Sequence, residues 1–139
     1  MDWPFSPLSR NSYSLIMADP PWSFATFSPK GWGARYVSSG TWVKTTTSGK
    51  IAFGTGYSFR NAHEIILLGA FGRPKIASRS VRSVLMAPVR EHSRKPEEAY
   101  TAARALIPDG RAADIFGRQA RPGWDTWGNE AAKFDEVPA

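Results

Sequence analysis

The 139-residue sequence contains no cysteine. This excludes disulfides, thiolate metal sites and cysteine nucleophiles, and it suits a reducing cytoplasm. Histidine is nearly as scarce. His63 and His92 lack the paired spacing of a helical zinc motif, so no metal site is expected. No serine or histidine falls into a recognisable nucleophile–base pattern. Long hydrophobic runs are also missing: Ile65 to Phe71 is the longest, far short of the ~20 residues that span a bilayer. Met1-Asp2-Trp3-Pro4 offers no basic region leading into an apolar segment. The expectation is a soluble, cytoplasmic protein with no membrane association. Acidic residues are in deficit, 12 against 18 Lys and Arg, giving a net charge of +6. Arg73, Lys75, Arg79, Arg82, Arg90, Arg94 and Lys95 crowd into one 23-residue interval. Such a stripe fits a polyanion such as nucleic acid and equally fits a solvated face.

What is present reads as one domain over residues 1–139, with frayed ends at 1–10 and 131–139. Short strand-like runs at Tyr13–Ala18, Thr41–Thr46, Glu64–Gly69, Ser83–Ala87 and Ala113–Phe116 are bounded by Gly, Pro or Ser. The second and third of these are expected to pair. One helix is predicted: Pro96 suits its first position, Glu97 and Glu98 its first turn, and Ala99, Ala103, Leu106 and Ile107 make its apolar face. Pro108 and Gly110 end it.

The stretch SLIMADPPWSF, Ser14 to Phe24, carries the chemistry. Two prolines fix two φ angles and remove two donors, so a rigid corner follows the Leu15–Ala18 strand and holds Asp19 and Trp22. The Asp19 carboxylate and a carbonyl of Pro20 or Pro21 can accept from an exocyclic amine while Trp22 packs near the ring. An amine held so is pyramidal, with its lone pair withdrawn from the ring. It can attack an activated methyl group.

MADPPW resembles the signature of the Asp-Pro-Pro-Trp adenine-N6 methyltransferases, the MT-A70-like family. The resemblance extends through GTWVKTTTSGKIAFGTGYSFRNAHEIILLG, REHSRKPEEAY and DIFGRQARPGWDTWGNE, in that order. It implies an α/β, Rossmann-like methyltransferase sheet with permuted motif order, the catalytic strand early and the cofactor-binding strand late. It implies S-adenosyl-L-methionine as cofactor and nucleic acid, DNA ahead of RNA, as substrate. By resemblance, Asp19, Pro20, Pro21 and Trp22 form the catalytic corner. Tyr36 closes a loop over the target base, and Arg60, Asn61 and Glu64 line the adenine pocket. Lys95, Arg118, Asn129 and Glu130 meet the cofactor. Trp124 and Trp127 read as packing residues. A target in a duplex has to be flipped out, with 24–36 as the lid.

The sequence departs from the family pattern in two places. Gln119 and Ala120 stand where some relatives have histidine and asparagine. At GARYVSSGTWVK, Tyr36 is followed almost at once by the Thr41–Thr46 strand, where family members insert a helix–strand–helix unit of roughly 40 to 60 residues. No helical period in Ser23–Gly40 replaces it. Without that interior strand, Thr41–Thr46 either pairs directly with Tyr13–Ala18 or leaves the latter as an exposed edge. Two further readings stay open: a non-catalytic remnant or nucleic-acid-binding subunit of the family, and a cytosine-N4 methyltransferase, against which Asp19 and Trp22 argue.

Overall fold

Each predicted strand is present in the structure, and its ends are set by pairing. The computed structural model describes residues 7–9, 12–18, 35–70, 72–91, 94–128, 131 and 135. Among these, the elements are β1 (Leu15–Ala18), β2 (Arg35–Thr45), β3 (His63–Ala70), β4 (Val84–Pro88), α1 (Glu97–Leu106), β5 (Ala112–Ile115) and β6 (Trp124–Trp127). The chain divides into two compact units, Met1–Ser28 with Ile107–Ala139 and Pro29–Leu106.

The first unit holds a sheet of order β1-β5-β6, parallel throughout. The central strand, Ala112-Ala113-Asp114-Ile115, is buried at every position. Its two alanines and isoleucine suit a strand enclosed on both faces, where little volume is free. β6 is an addition to the expected strands. It is four residues long, between Gly123 and Gly128, and its two tryptophans read in sequence as packing residues.

At the opposite end from the β1 and β5 C-termini, three side chains meet. The Tyr13 hydroxyl donates to Asp125 Oδ2 at 2.7 Å, Arg111 Nη2 donates to the same oxygen at 2.8 Å, and the Arg111 guanidinium lies 4.8 Å from the Tyr13 ring centroid. This cluster joins the chain just before β1, the residue before β5, and β6 itself.

The second unit has the order β3-β2-β4. β2 and β3 form the expected antiparallel pair, and β4 runs parallel to β2. β2 starts six residues earlier than predicted and passes unbroken through the Tyr36–Val37 junction, where its register with β3 shifts between Tyr36 and Ser38. Val37 is thus the extra residue of a bulge. Registered residues share a face, so Trp42 and Leu85 lie on one side and Thr41, Ile65 and Val84 on the other. Trp42 and Ala87 are buried, and Trp42 Nε1 donates to the Ala87 carbonyl at 3.0 Å. On the opposite face Ile65, Leu67, Val84 and Met86 are all at least half exposed.

α1 packs on β4. It begins one residue later than predicted: Pro96 precedes it, buried, and its carbonyl accepts from the Ala99 amide at 3.1 Å. The buried anchor of the helix is Tyr100, whereas Ala99, Ala103 and Leu106 are half-buried. Tyr100 lies between Pro96 and Ala103 on one helical face and carries the largest apolar area there.

Of the two arrangements expected at the junction, direct pairing of β2 with β1 is not made. β2 already has a neighbour on each edge, and among the described residues β1 pairs with β5 alone. β1 and β3 are therefore edge strands of their respective sheets.

Candidate active site

Three parallel strands end at one edge of the first unit's sheet, and a parallel α/β sheet binds ligands beyond the carboxyl ends of its strands. β1 ends at Ala18, in register with Ile115, which is in register with Trp127 at the end of β6. The chain continues from these ends into Asp19, into Phe116-Gly117-Arg118, and into Gly128 followed by Asn129 and Glu130. Asp19, Pro20, Pro21, Trp22, Asn129 and Glu130 lie outside the described residues, as does 24–34 of the expected lid.

The described part of this edge is tightly built. Phe116 has φ 61°, a left-handed conformation rare for a residue other than glycine. It is held there by its amide, which donates to the Trp127 carbonyl at 2.6 Å, and by its ring, which meets Trp127 edge-on at 5.3 Å and 81°. Trp127 is thus a packing residue, as expected. Backbone strain of this kind persists only where the surroundings impose it, and it clusters at ligand sites.

Asp114, 1% exposed, lies beneath the same crest. A Cβ at Gly117 would collide with its carboxylate, so glycine alone lets the loop lie this close to the acid. Arg118 follows on this loop, half-buried. The next two residues are tied as well: Thr126 Oγ1 donates to the Gln119 carbonyl at 3.4 Å, and the Ala120 amide donates to Asp135 at 2.6 Å. Asp114 and Phe116 are candidate functional residues that the sequence reading did not single out. The available signal was an acid inside a four-residue strand, three residues before a glycine.

The other predicted residues belong to the second unit. Lys95 stands two residues before α1, next to Pro96, so its place at a helix N-terminus is as predicted. Its carbonyl accepts from Arg90 Nη1 at 3.0 Å, and the same nitrogen bridges to Glu97 at 3.2 Å. Glu64 is on β3, where its carboxylate pairs with Lys44 Nζ at 3.1 Å; that ammonium also sits 5.1 Å from the Trp42 ring centroid. Asn61 Oδ1 accepts from the His63 amide at 3.4 Å, and the Arg60 guanidinium lies over the Phe53 ring at 4.8 Å.

Tyr36 and Glu64, expected at one adenine pocket, are not brought together. Tyr36 opposes Gly69, whereas Glu64 opposes Trp42, six residues further along β2 and so roughly 20 Å away at ~3.3 Å per residue. The cause is the early start of β2, which places Tyr36 in a strand paired with β3. Its side chain is exposed.

Among the described residues of this crest, Arg118 supplies a cation and Gly117 lets the turn close over Asp114. A parallel sheet whose three strands end together at a strained crest suits the general class of ligand-binding α/β proteins. Comparison with known proteins defines the family. The MT-A70 family profile matches residues 25–130, a span that begins past Trp22 and does not rest on the Asp-Pro-Pro-Trp corner. The chain belongs to the MT-A70 family.

Among curated relatives, it is 34% identical over 109 residues to the N6-methyladenosine RNA methyltransferase MTA1 of Cryphonectria parasitica, covering 76% of this chain and 31% of the relative. It is 29% identical over 117 residues to the N(6)-adenine-specific methyltransferase METTL4 of Homo sapiens, covering 76% and 25%. It is 26% identical over 162 residues to the N(6)-adenosine-methyltransferase MT-A70-like protein of Arabidopsis thaliana, covering 86% and 24%. The chain spans between about a quarter and a third of the length of these relatives.

Proposed function

We propose that this chain carries the methyl-transfer site of an S-adenosyl-L-methionine-dependent enzyme acting on the N6 amine of adenine in nucleic acid, with DNA the first substrate to test and RNA the second. The observation that carries the reading is the common edge of β1, β5 and β6, from which Asp19, Arg118, Asn129 and Glu130 all follow in sequence. The early strand β1 lies beside the late strand β5, which supports the permuted order. In this reading the Asp19 carboxylate and a carbonyl of the Pro20-Pro21 corner accept from the adenine amine and localise its lone pair, while Trp22 packs on the ring. Arg118 meets the ribose or the carboxylate end of the cofactor, and Asn129 and Glu130 hold its ribose hydroxyls. The cofactor supplies a methyl group activated by a sulfonium. With the cofactor bound, the amine would take this methyl group, the sulfur would leave as a neutral thioether, and the extra N6 proton would pass to solvent. Positioning and electrostatics carry the rate, with no covalent intermediate on the protein.

Two measurements test this. Calorimetric titration with S-adenosyl-L-methionine should show saturable binding. Asp19→Ala should lower transfer of labelled methyl to adenine by about 10²–10³-fold, as expected for a group acting mainly in the transition state, with cofactor affinity kept within about tenfold. Loss of both together with loss of folding would make Asp19 structural and sink its catalytic role.

The second reading is a remnant of the family, still one domain in descent, that lacks an interior helix–strand–helix unit and with it most activity. Two observations favour it. β1 and β3 are each left with one neighbour among the described residues, and β3 is apolar on both faces, as a strand with cover on both sides would be. In addition, 86% of this chain is about 120 residues, about 42 fewer than the 162 positions of the Arabidopsis alignment, close to the roughly 40 to 60 residues of such a unit. No calorimetric signal from a folded protein would favour this reading over the first.

A further inference from the structure

From Ile65 to Arg90 there is not one Asp or Glu in 26 residues, while Arg73, Lys75, Arg79 and Arg82 all fall within the β3–β4 connection. The structure separates these four from the other cations of the stripe. Arg90 is bridged to Glu97, and Arg94 to Glu91 at 2.7 Å. The four on the connection are exposed and have no hydrogen-bond or ion-pair partner among the described residues.

The connection is also braced. At its start the Gly72 carbonyl accepts from Arg35 Nη2 at 3.1 Å. In its middle the Ala77 amide donates to the Leu106 carbonyl at 2.9 Å, and the Ser80 amide to Ser78 Oγ at 3.2 Å. At its end the Ser83 carbonyl accepts from Thr41 at 2.7 Å. Cations on a fixed backbone lose less entropy on meeting a ligand than cations on a free one.

Complementing the α1 dipole does not account for all four: it reaches only charges near the last helical turn, where the Ala77 amide meets the Leu106 carbonyl and which already contains Arg104. Four like charges within ten residues repel one another, so the arrangement favours a polyanion that neutralises them.

The geometry points to the 73–82 connection as the element that grips the phosphate backbone of the nucleic-acid substrate. The connection's two ends are held at Arg35 and Thr41, six residues and so roughly 20 Å apart along β2, a span over which the four cations can meet several phosphates. The surface contacts backbone and not base edges, so it fixes register and affinity without reading sequence. The inference rests on the reading above only for the identity of the polyanion.

The test is oligonucleotide affinity of the full chain against salt, without cofactor, on duplex DNA, single-stranded DNA and RNA. Each phosphate contact adds about 0.9 to the slope of log affinity against log salt for a duplex and about 0.7 for a single strand. The variant with Arg73, Lys75, Arg79 and Arg82 all changed to Gln should lower the duplex slope by about 2 to 4 and weaken binding at least about tenfold at low salt, with cofactor affinity and thermal unfolding unchanged. Arg79→Gln should lower the slope more than Lys50→Gln, an equal loss of charge on an exposed residue outside the connection. An unchanged slope in the fourfold variant, or equal effects of the two single changes, overturns the proposal. So does binding to vesicles of anionic lipid with none to oligonucleotide at the same salt. Oligonucleotide binding through these residues without methyl transfer would sink the enzyme reading and leave this surface standing. Methyl transfer with an unchanged slope would sink the surface alone.

Discussion

The two sheets are both three-stranded, yet one is closed at its centre and the other open along much of its length. In the parallel sheet the central strand is four residues long and buried throughout. In the mixed sheet the central strand is eleven residues long, and its first five are exposed. Opposite them, β3 carries Ile65, Ile66, Leu67 and Leu68 between 37% and 65% exposed, with side chains alternating to both faces. A four-residue strand of small side chains needs little cover, because its neighbours supply it. A run of four large aliphatic residues is a sequence suited to enclosure on both faces, and β2 alone provides one edge. The open sheet thus lacks that cover among the described residues, next to the bulge at Tyr36–Val37.

Restoring that cover gives the largest effect we expect. Inserting a relative's helix–strand–helix segment between Tyr36 and Val37 should raise methyl transfer at least about 10²-fold, the scale set by ångström errors in positioning reacting groups. The same graft should remove the concentration-dependent self-association expected of an uncovered apolar edge, followed by sedimentation velocity. A folded graft with no gain, beside an unmodified chain that is monomeric and fully active, would break the comparison.

How far each sheet is legible in sequence follows from the same contrast. The end of β1 was plain because an apolar run stops at Asp19-Pro20-Pro21, and the start of α1 because Pro96 is followed by two glutamates. The antiparallel pairing of β2 with β3 was also legible. The extension of β2 back to Arg35 was not: Ser38, Ser39 and Gly40 are weak strand formers, and pairing with β3 overrides that preference. The same override separated Tyr36 from Glu64, since distance along a strand depends on a register the sequence does not state. β6 and buried Asp114 escaped for a different reason. A four-residue strand between glycines and an acid inside a strand both acquire meaning only from neighbours distant in sequence. The Asp19-Pro20-Pro21-Trp22 corner rests on its motif, and the end of β1 locates where its chain segment begins.

A smaller effect sharpens the contrast within one type of substitution. Ile115→Ala, at a position with no exposure, should cost about 2–5 kcal/mol in urea denaturation. Leu67→Ala, at a position 53% exposed, should cost less than about 1 kcal/mol. Equal losses would mean that β3 is covered in solution, and the open sheet would cease to be a difference between the two units.

The smallest effect belongs to the Tyr13–Arg111–Asp125 cluster of the closed sheet. The Tyr13 hydroxyl, and then Arg111, hold the Asp125 carboxyl below its ordinary value. Burial, and then Asp125, push Tyr13 above its own. A lowered carboxyl stabilises the fold fully above its unfolded value, near 4, and loses that contribution as pH falls through the lowered folded value. A raised phenol stabilises the fold below its unfolded value, near 10, and loses that contribution as pH rises through the raised one. The cluster therefore contributes across the window from about pH 4 to about pH 10 and fades on either side. The carboxylate of the ion pair is 47% exposed, so solvent screens it and the stability at stake is below about 1 kcal/mol. Tyr13→Phe keeps the ring beneath Arg111 and removes only the hydroxyl. Chemical denaturation of the wild type and this variant at pH 3, 7 and 10.5 should show a small gap at pH 7 that narrows at both extremes. A gap that stays constant with pH would mean that the hydroxyl acts by packing alone and that the closed sheet is held without this cluster.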